Sequence, residues 1–346
     1  MSRLDSYSLM IVSKYFTSIE DYINVEFVCK KFQNNTEKFH FNPISISTKT
    51  RKFFPHLETQ HLYSNNDFKI SSKRIIKFVL WNIVDYKTFL KENGQGNVCR
   101  NVMYTKNDRE RFGVDVPTGV NQLGCNCFRA SRIPSLSLPK TVTAIGDFCF
   151  NGCKRLSKVS FPPVIRVIGD SAFQDDIMLE SIELPHNVKT LGKWCFAGCT
   201  SLSSFVVESP SLSEINEATF AFCAKLRHVV LSDQITRIGR KAFSSCVALK
   251  ELTLPTSLIE IGENAFEYCG IVDLHFPANL KRVKASAFLS CEFLEEVTVN
   301  AKIENVDLLC FGFCMNLKTL KVPKAAKRFV DIFIQGLNSV KAVEME

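Results

Sequence analysis

Long apolar runs are missing from this chain of 346 residues, although 46% of its residues are apolar. The longest stretches, such as KFVLWNIV at 77–84, end well short of the roughly 20 residues that a membrane-spanning helix needs. The first residues also lack the extended apolar segment and the small-residue cleavage site of a signal peptide. We therefore expect no membrane span and a location in the cytoplasm or the nucleus, with the cell surface as the disfavoured alternative.

Sequence signatures of catalysis are scarce as well. The chain has only six histidines, and it contains no HExxH, GxxxxGK[ST], GxSxG or GxGxxG sequence. Paired carboxylates need not be near in sequence, so that kind of catalysis stays open. The net charge is +8, but acidic residues are interspersed among the basic ones, which disfavours nucleic-acid binding. We interpret the chain as non-enzymatic, with no cofactor, no metal site and no small-molecule substrate.

What the chain does have is a phenylalanine that recurs at intervals of 22 to 24 residues. The ten members of this series are Phe128, Phe150, Phe173, Phe196, Phe220, Phe243, Phe266, Phe288, Phe311 and Phe333. Their units follow the frame A-F-x-x-C-x-x-L-x-x-L-x-L-P-x-x-V-x-x-I-G, in which the leading glycine is replaced, for example, in the units of Phe220 and Phe288, and the unit of Phe333 lacks both this glycine and the cysteine. A fixed period of this length is typical of a solenoid, in which stacked units bury a core that one unit alone could not.

Within each unit, the L-x-L pair places two apolar side chains on one side of an extended segment, as at Ile182 and Leu184. The proline that follows, such as Pro185, cannot donate to a strand ladder and ends the strand. Glycine before the phenylalanine, as at Gly169, predicts either a positive φ or a close backbone approach. The pattern therefore predicts one short parallel strand per coil.

The A-F-x-x-C and L-P signatures, repeated over about residues 117–346, resemble the BspA-like class of leucine-rich repeats. The resemblance implies an α/β repeat solenoid, a right-handed coil with one short parallel strand per unit and a helical N-terminal cap. We divide the chain into a helical, F-box-like or capping domain at 1–103 and a solenoid of about ten units at 104–346. Because many proteins of this class are surface adhesins, adhesion is one alternative function.

Fourteen cysteines invite a metal or disulfide interpretation, but most of them follow the repeat. Seven stand three residues after the phenylalanine: Cys153, Cys199, Cys223, Cys246, Cys269, Cys291 and Cys314. Four more, Cys127, Cys149, Cys195 and Cys310, occupy a slot that other units fill with alanine. That exchange favours packing of reduced thiols, because free cysteine behaves as a small hydrophobe. Cys29, Cys99 and Cys125 are left without a role.

The residues that flank the inward strand pairs would face solvent, and solenoids use such extended faces to bind partners. The middle coils are acidic there and carry two histidines, while both ends carry lysine. The predicted partner-binding residues are Lys158, Ser160, Ser181, Glu183, Ser204, His228, Glu251, Thr253, Asp273, His275, Glu296, Thr298 and Lys321. Trp194, just before Cys195 in its coil, is a further candidate if its indole is exposed.

The N-terminal region has a different periodicity, with apolar residues recurring at three and four positions as in an amphipathic helix. Ser18 followed by Asp21 predicts a helix N-cap with an acidic first turn. The stretch IVSKYFTSIEDYINVEFVCKKF at 11–32 is similar to an F-box. That resemblance implies a substrate receptor of a ubiquitin ligase that binds a Skp-type adaptor. The plainer interpretation is a helical cap over the first coil.

A short sequence outside the repeats, KFVLW, matches a docking pattern for type-1 protein phosphatase at Lys77, Val79 and Trp81. It makes a regulator of that phosphatase a third alternative.

Our principal interpretation is a protein-protein interaction scaffold or regulator that binds its partner on the strand face of the solenoid. We expect a monomer or a weak end-to-end dimer, since exposed sheet edges invite pairing.

Overall fold

The computed structural model describes residues 5–207, 209–299, 303–335, 337 and 342–345. The chain forms two compact units, Met1–Met103 and Tyr104–Glu346. The first unit combines short helices with three parallel strands. The second is built from parallel strands that repeat along the chain.

The first unit begins with two helices, α1 at Ser6–Ser13 and α2 at Ile19–Val28. The predicted cap of α2 is confirmed: Ser18 Oγ accepts the Asp21 N–H at 3.2 Å, and the Asp21 carboxylate accepts the Ser18 N–H at 3.1 Å. Tyr22 of α2 is fully buried, and its hydroxyl donates to the carbonyl of Ser13 at the end of α1. These bonds fix the turn between the two helices.

The rest of the first unit is mainly extended. Strand β1 at Thr59–Leu62 pairs in parallel with β2 at Lys77–Asp85, which pairs with β3 at Val98–Tyr104. Helix α3 at Tyr86–Gly94 connects β2 to β3. The core of this unit is a cluster of Tyr22, Phe39, Ile44, Ile46, Phe54, Leu57 and Ile70. Single 3-10 turns occur at Lys30–Phe32, Thr36–Lys38 and Arg51–Phe53.

The second unit opens with helix α4 at Lys106–Phe112, which Thr105 and Asp108 cap. A solenoid of about ten turns follows, which confirms the predicted architecture. One set of strands, which we call the face strands, is formed by the L-x-L segments. The face strands are β5 Ser135–Ser137, β7 Lys158–Ser160, β9 Ser181–Leu184, β11 Ser204–Val207, β13 His228–Val230, β16 Asp273–Phe276, β18 Glu296–Val299, β20 Thr319–Val322 and β21 Ala342–Met345.

Most coils also contain a second, two-residue strand, whereas one strand per coil was expected. This second set lies at the V-x-x-I-G positions, where the isoleucine is buried and its carbonyl accepts the glycine N–H of the next coil, as from Gly169 to Ile145 at 2.9 Å. The set comprises β4 Gln122–Leu123, β6 Ala144–Ile145, β8 Val167–Ile168, β10 Thr190–Leu191, β12 Glu214–Ile215, β14 Arg237–Ile238, β15 Glu260–Ile261, β17 Arg282–Val283 and β19 Asn305–Val306. The last turns include a 3-10 helix at Lys324–Phe329 and α5 at Val330–Phe333.

The repeat glycines serve close approach rather than a positive φ. A Cβ on Gly192 would lie 2.3 Å from the carbonyl carbon of Gly169 in the coil before it. The left-handed conformation occurs instead at two other positions of the coil, two residues before and two residues after the repeat phenylalanine. Both positions accept bulky residues, as at Trp194 (φ 59°) and Phe222 (φ 63°).

The ten repeat phenylalanines form one continuous ladder of buried rings. From Phe128 to Phe311, successive ring centroids are 4.9 to 5.5 Å apart with planes 2° to 22° from parallel. The last step, to Phe333, is longer at 5.8 Å and tilted by 42°. Such offset stacking adds to the gain from burying the rings.

The seven cysteines after the phenylalanine form a second ladder beside the first. All seven are buried, and each Sγ donates to the carbonyl of the repeat phenylalanine in the preceding coil at 3.0 to 3.2 Å. These cysteines therefore not only pack in the core but also make a weak hydrogen bond that alanine could not make. Burial also raises the pKa of five of these thiols, Cys153, Cys199, Cys223, Cys246 and Cys291, that of Cys153 to about 12.

Asp176 replaces cysteine at this position in the coil of Phe173. Its side chain is fully buried, and Oδ1 accepts the Cys153 N–H at 2.6 Å. Oδ2 has no hydrogen-bond partner among the described residues. Burial raises the pKa of Asp176 to about 9, because an ionised carboxylate would lose its hydration there. The carboxyl group is thus neutral at neutral pH.

Candidate protein-interaction face

The thirteen predicted partner-binding residues of the L-x-L segments all point outward. Their inward neighbours are buried: Ile182 is 2% exposed and Leu184 is 5% exposed. The alternation follows from the extended backbone, which sends successive side chains to opposite faces. We call the outward surface of these segments, residues 158–160, 181–183, 204–206, 228–230, 251–253, 273–275, 296–298 and 319–321, the strand face.

Parallel register brings the outward residues of neighbouring coils side by side. Ser181, Ser204 and His228 form one row, and Asp273, Glu296 and Thr319 form another. Lys321 Nζ lies 2.7 Å from Glu296 Oε1 and so neutralises part of the acidic middle of the face. The remaining acidic side chains there, Glu251 and Asp273, are exposed.

The strand face is interrupted twice, a feature that the sequence pattern did not predict. The face strands fall into three groups, β5-β7, β9-β11-β13 and β16-β18-β20-β21. One break lies between Ser160 and Ser181, and the other lies in the coil of Phe243, where residues 251–254 are not assigned to a strand. Glu251 and Thr253 therefore sit outside any hydrogen-bonded ladder.

The first break opens a cleft of about 410 Å³. Lys158, Ser160, Ser181 and Glu183 line it with polar groups, and apolar lining comes from Phe161 and Val206. Its volume lies at the lower end of the range for binding pockets, and the mixture of apolar and polar walls is typical of recognition sites. One sequence signal marks the place: the double proline at 162–163, in the same coil, occurs nowhere else in the chain.

Trp194 lies away from the strand face. Its indole is half-buried and packs against the small residues Ala197, Ala218 and Ala221. The indole is only partly exposed, because these alanines accommodate the ring, and a partner-binding role for Trp194 stays a prediction. The backbone of Trp194 is left-handed, with a φ of 59°.

The phosphatase-docking sequence forms part of β2 in the first unit. Val79 is only 7% exposed and pairs with His61 on one side and Val98 on the other. Trp81 is 40% exposed, but its ring is stacked on Tyr63 at 6.2 Å. Lys77 is half-buried. Docking through Val79 would require β2 to leave its sheet.

The two N-terminal helices expose an unusual amount of apolar surface. Tyr15 and Phe27 are each 83% exposed. We give the name helical patch to the exposed apolar residues of the two helices and of the turn between them; the members are Tyr7, Ile11, Val12, Tyr15, Phe27 and Val28. These exposed apolar side chains make the two helices a candidate interaction surface.

Two kinds of site are not found in the described part of the chain. No group of three or more His, Cys, Asp or Glu side chains there is placed to hold a metal ion. None of the helices in the described ranges is long and apolar enough to cross a bilayer.

Comparison with known proteins supports the repeat architecture. The model of the BspA-type leucine-rich repeat region matches residues 121–247 and 213–340, in six copies. Among solved structures, a leucine-rich repeat protein from Bacteroides ovatus matches with a TM-score of 0.59 and 18% identity, covering 84% of each chain. No curated protein sequence matches this chain.

Two further structures are similar over shorter or looser alignments. The T. pallidum leucine-rich repeat protein is 23% identical, with a TM-score of 0.48 over 66% of this chain and 100% of that one. A leucine-rich cell surface protein from Faecalibacterium prausnitzii is 17% identical, with a TM-score of 0.37 over 77% of this chain and 83% of that one. From the ladders, the strand register and the family match over residues 121–340 together, this chain belongs to the BspA-type leucine-rich repeat family.

Proposed function

We propose that this protein is a non-enzymatic interaction scaffold or regulator that binds a protein partner on the strand face. The observation that carries the proposal is the cleft at the first break of that face. There Lys158 and Glu183 stand at the rim beside the apolar Phe161 and Val206. A partner segment could insert an apolar side chain and pair both charges at once, which is the usual division between anchor and rim in interfaces.

The experiment compares charge reversals on and off the face. The double variant Lys158→Glu/Glu183→Lys keeps the net charge but exchanges the positive and negative charges at the rim of the cleft. We expect it to lose the proteins that the intact chain captures. Lys189→Glu changes an exposed lysine outside the strand face and serves as the control. Quantitative affinity purification with mass spectrometry measures the result. Equal capture by the intact chain and the double variant would exclude the cleft as the binding site.

A second candidate function is that of an F-box-type substrate receptor, and the helical patch favours it. The patch exposes aromatic and aliphatic side chains on two capped helices, the kind of surface that a helical adaptor would cover. We expect Tyr15→Glu/Phe27→Glu to abolish co-purification of a Skp-type adaptor, while the cleft variants leave it intact. Failure of the unmodified chain to retain such an adaptor would eliminate this candidate.

Two further questions are whether the protein regulates type-1 protein phosphatase and where in the cell it resides. Regulation of type-1 protein phosphatase would require Val79 to be released from β2, so its burial counts against that role; phosphatase binding unchanged by Val79→Ala/Trp81→Ala would remove it. Residence in the cytoplasm or nucleus is our proposal for location, with surface adhesion as the alternative. Surface labelling of intact cells distinguishes the two.

A further inference from the structure

A surface outside the strand face carries a regular alternation of large and small side chains. It consists of the residue two positions after the repeat phenylalanine, in the turn between the phenylalanine ladder and the next face strand. From the coil of Phe196 to that of Phe311, the residues at this position are Gly198, Phe222, Ser245, Tyr268, Ser290 and Phe313. Small and large residues alternate strictly over these six coils, which we call the turn ridge.

The three large residues of the turn ridge are costly to keep there. Phe222, Tyr268 and Phe313 are 54%, 50% and 59% exposed, so little of their apolar surface is buried within this chain. Their φ angles are 63°, 56° and 59°, a region that bulky side chains rarely adopt. Gly198 shows that glycine fits the same position in another coil. Strained and exposed aromatic residues of this kind point to a binding role.

Neighbouring side chains extend the apolar surface between the aromatic residues. Val247 is 53% exposed and Phe293 is 59% exposed, and they come from the coils whose ridge residues are Ser245 and Ser290. With coils about 5 Å apart, the six positions span roughly 25 Å. That length suits a macromolecular partner better than a small ligand.

We propose that the turn ridge binds the turn ridge of a second copy of this chain, in an antiparallel arrangement about a two-fold axis. Such an interface brings the same patch of both copies together, so the patch must be complementary to itself. Pairing the coil of Phe196 with that of Phe311 in the partner sets Gly198 opposite Phe313. The same register places Phe222 opposite Ser290, and Ser245 opposite Tyr268. Every large side chain then meets a small one.

The charges beside the ridge fit the same register. Lys225 is exposed in the coil of Phe220, and Glu292 is exposed in the coil of Phe288, the coil that would face it across the axis. Neither side chain takes part in an ion pair among the residues that the structure describes. The two-fold axis would produce this opposite-charge contact twice, once on each side. A parallel arrangement in register would instead set each charge against a like one, which is unfavourable.

The test measures the mass of the full-length protein in solution, by sedimentation equilibrium over a range of protein concentrations. We expect the unmodified chain to form dimers and the triple variant Phe222→Gly/Tyr268→Gly/Phe313→Gly to be monomeric under the same conditions. Glycine relieves the left-handed backbone, so the triple variant should unfold at no lower temperature than the unmodified chain. Phe148→Gly, another exposed aromatic residue at positive φ but outside the ridge, is the control and should still dimerise.

Charge reversal tests the register itself. Glu292→Lys should raise the dissociation constant of the dimer at least about tenfold, because two lysines would then face each other. Adding Lys225→Glu should bring it back to within about threefold of the unmodified value, since the reversed pair restores the attraction. A protein that is monomeric throughout, or dimers that survive the triple substitution, would overturn the proposal. If Lys225→Glu does not restore the affinity that Glu292→Lys lowers, the antiparallel register is overturned.

Discussion

The cores of the two units pack their aromatic rings in different ways. In the solenoid, one phenylalanine per coil stacks face to face on the next, with centroids 4.9 to 5.5 Å apart and planes 2° to 22° from parallel over nine successive rings. In the first unit, Tyr22, Phe39 and Phe54 meet edge to face, at 75° to 80°. A repeated backbone gives every coil the same ring orientation. In a unit without a repeat, the orientation of each ring depends on its own surroundings.

The contrast predicts how substitutions are felt. In the ladder a ring has two neighbours of the same kind, so a defect is shared by the coils on either side and the array behaves as a one-dimensional chain. In the first unit, the rings converge on Tyr22, which contacts Phe16, Phe39 and Phe54 at once. A substitution of Tyr22 would therefore remove several ring contacts at one point of the core.

The largest expected effect is that of removing a ring from the middle of the ladder. Phe243→Ala should lower the free energy of unfolding by about 3–5 kcal/mol, because it creates a cavity between two stacked neighbours. Phe333→Ala, where the ring has one tilted ladder neighbour, should cost clearly less. Chemical denaturation of both variants measures the difference. Equal losses at the two sites would contradict a ladder stabilised by neighbours on both sides.

Replacing Asp176, unlike replacing Phe243, should raise the free energy of unfolding. The pKa of Asp176 is about 9 in the folded chain against an ordinary value of 3.8, so between these values the folded state holds a proton that the unfolded state has released. The contribution of Asp176 to stability is therefore complete below about pH 4 and is lost progressively as the pH rises towards 9.

Asp176→Cys should remove this pH dependence and restore the thiol ladder. At pH 8 we expect it to raise the free energy of unfolding by about 1–3 kcal/mol, the usual penalty of a buried group without a partner. The measurement is denaturation at pH 5 and pH 8. Glu180→Gln, which changes an exposed carboxylate of the same coil, should keep the slope of the unmodified chain. An unchanged slope in Asp176→Cys would show that another group is responsible.

The thiol ladder predicts a smaller effect. Cys246→Ala should cost about 1 kcal/mol, because the carbonyl of Phe220 loses the Sγ that donates to it at 3.2 Å while the remaining cavity is small. Cys246→Ser keeps a donor of similar size and separates loss of the hydrogen bond from loss of the apolar sulfur. Should alanine prove neutral in thermal denaturation, the cysteines would be packing residues only.

The smallest effect concerns the first unit. Ser18→Ala removes one half of the capping box of α2 and should cost about 0.5–1 kcal/mol. Ser18→Asp keeps an acceptor at the cap and is the matched control. We expect hydrogen exchange to quicken at the N–H of Asp21 and in the first turn of α2, and to stay unchanged in the coils. Faster exchange in the solenoid would mean that the two units do not respond separately.

The regular part of the fold was predictable because each repeat position has one physical reason for its residue. Ile182 and Leu184 point inward because the strand alternates, and Gly192 is glycine because a Cβ would collide with the preceding coil. Averaging over ten units removes the ambiguity that a single short strand would leave. The second strand of each coil was missed because two residues are too few to show alternation.

The candidate site was less predictable, since it depends on departures from the repeat. The outward residues follow from periodicity, whereas the break near Glu251 has no counterpart in the repeat pattern and the break after Ser160 is marked only by the double proline at 162–163. The exposure of Trp194 could not be predicted because it depends on Ala218 and Ala221 of the next coil. In the first unit, Val79 satisfied a short motif while the strand pairing that buries it joins segments about 20 residues apart.

The thiol ladder has a practical consequence for watching this protein move. Each of its seven sulfurs is buried and donates a hydrogen bond to the coil before it. A raised pKa also keeps Cys153, Cys199, Cys223, Cys246 and Cys291 in the unreactive protonated form. A thiol reagent can therefore modify a given cysteine only when that coil opens. Labelling times measured cysteine by cysteine would rank the opening free energies along the axis and show whether the array frays from its ends or opens first beside Asp176, where the ladder is interrupted.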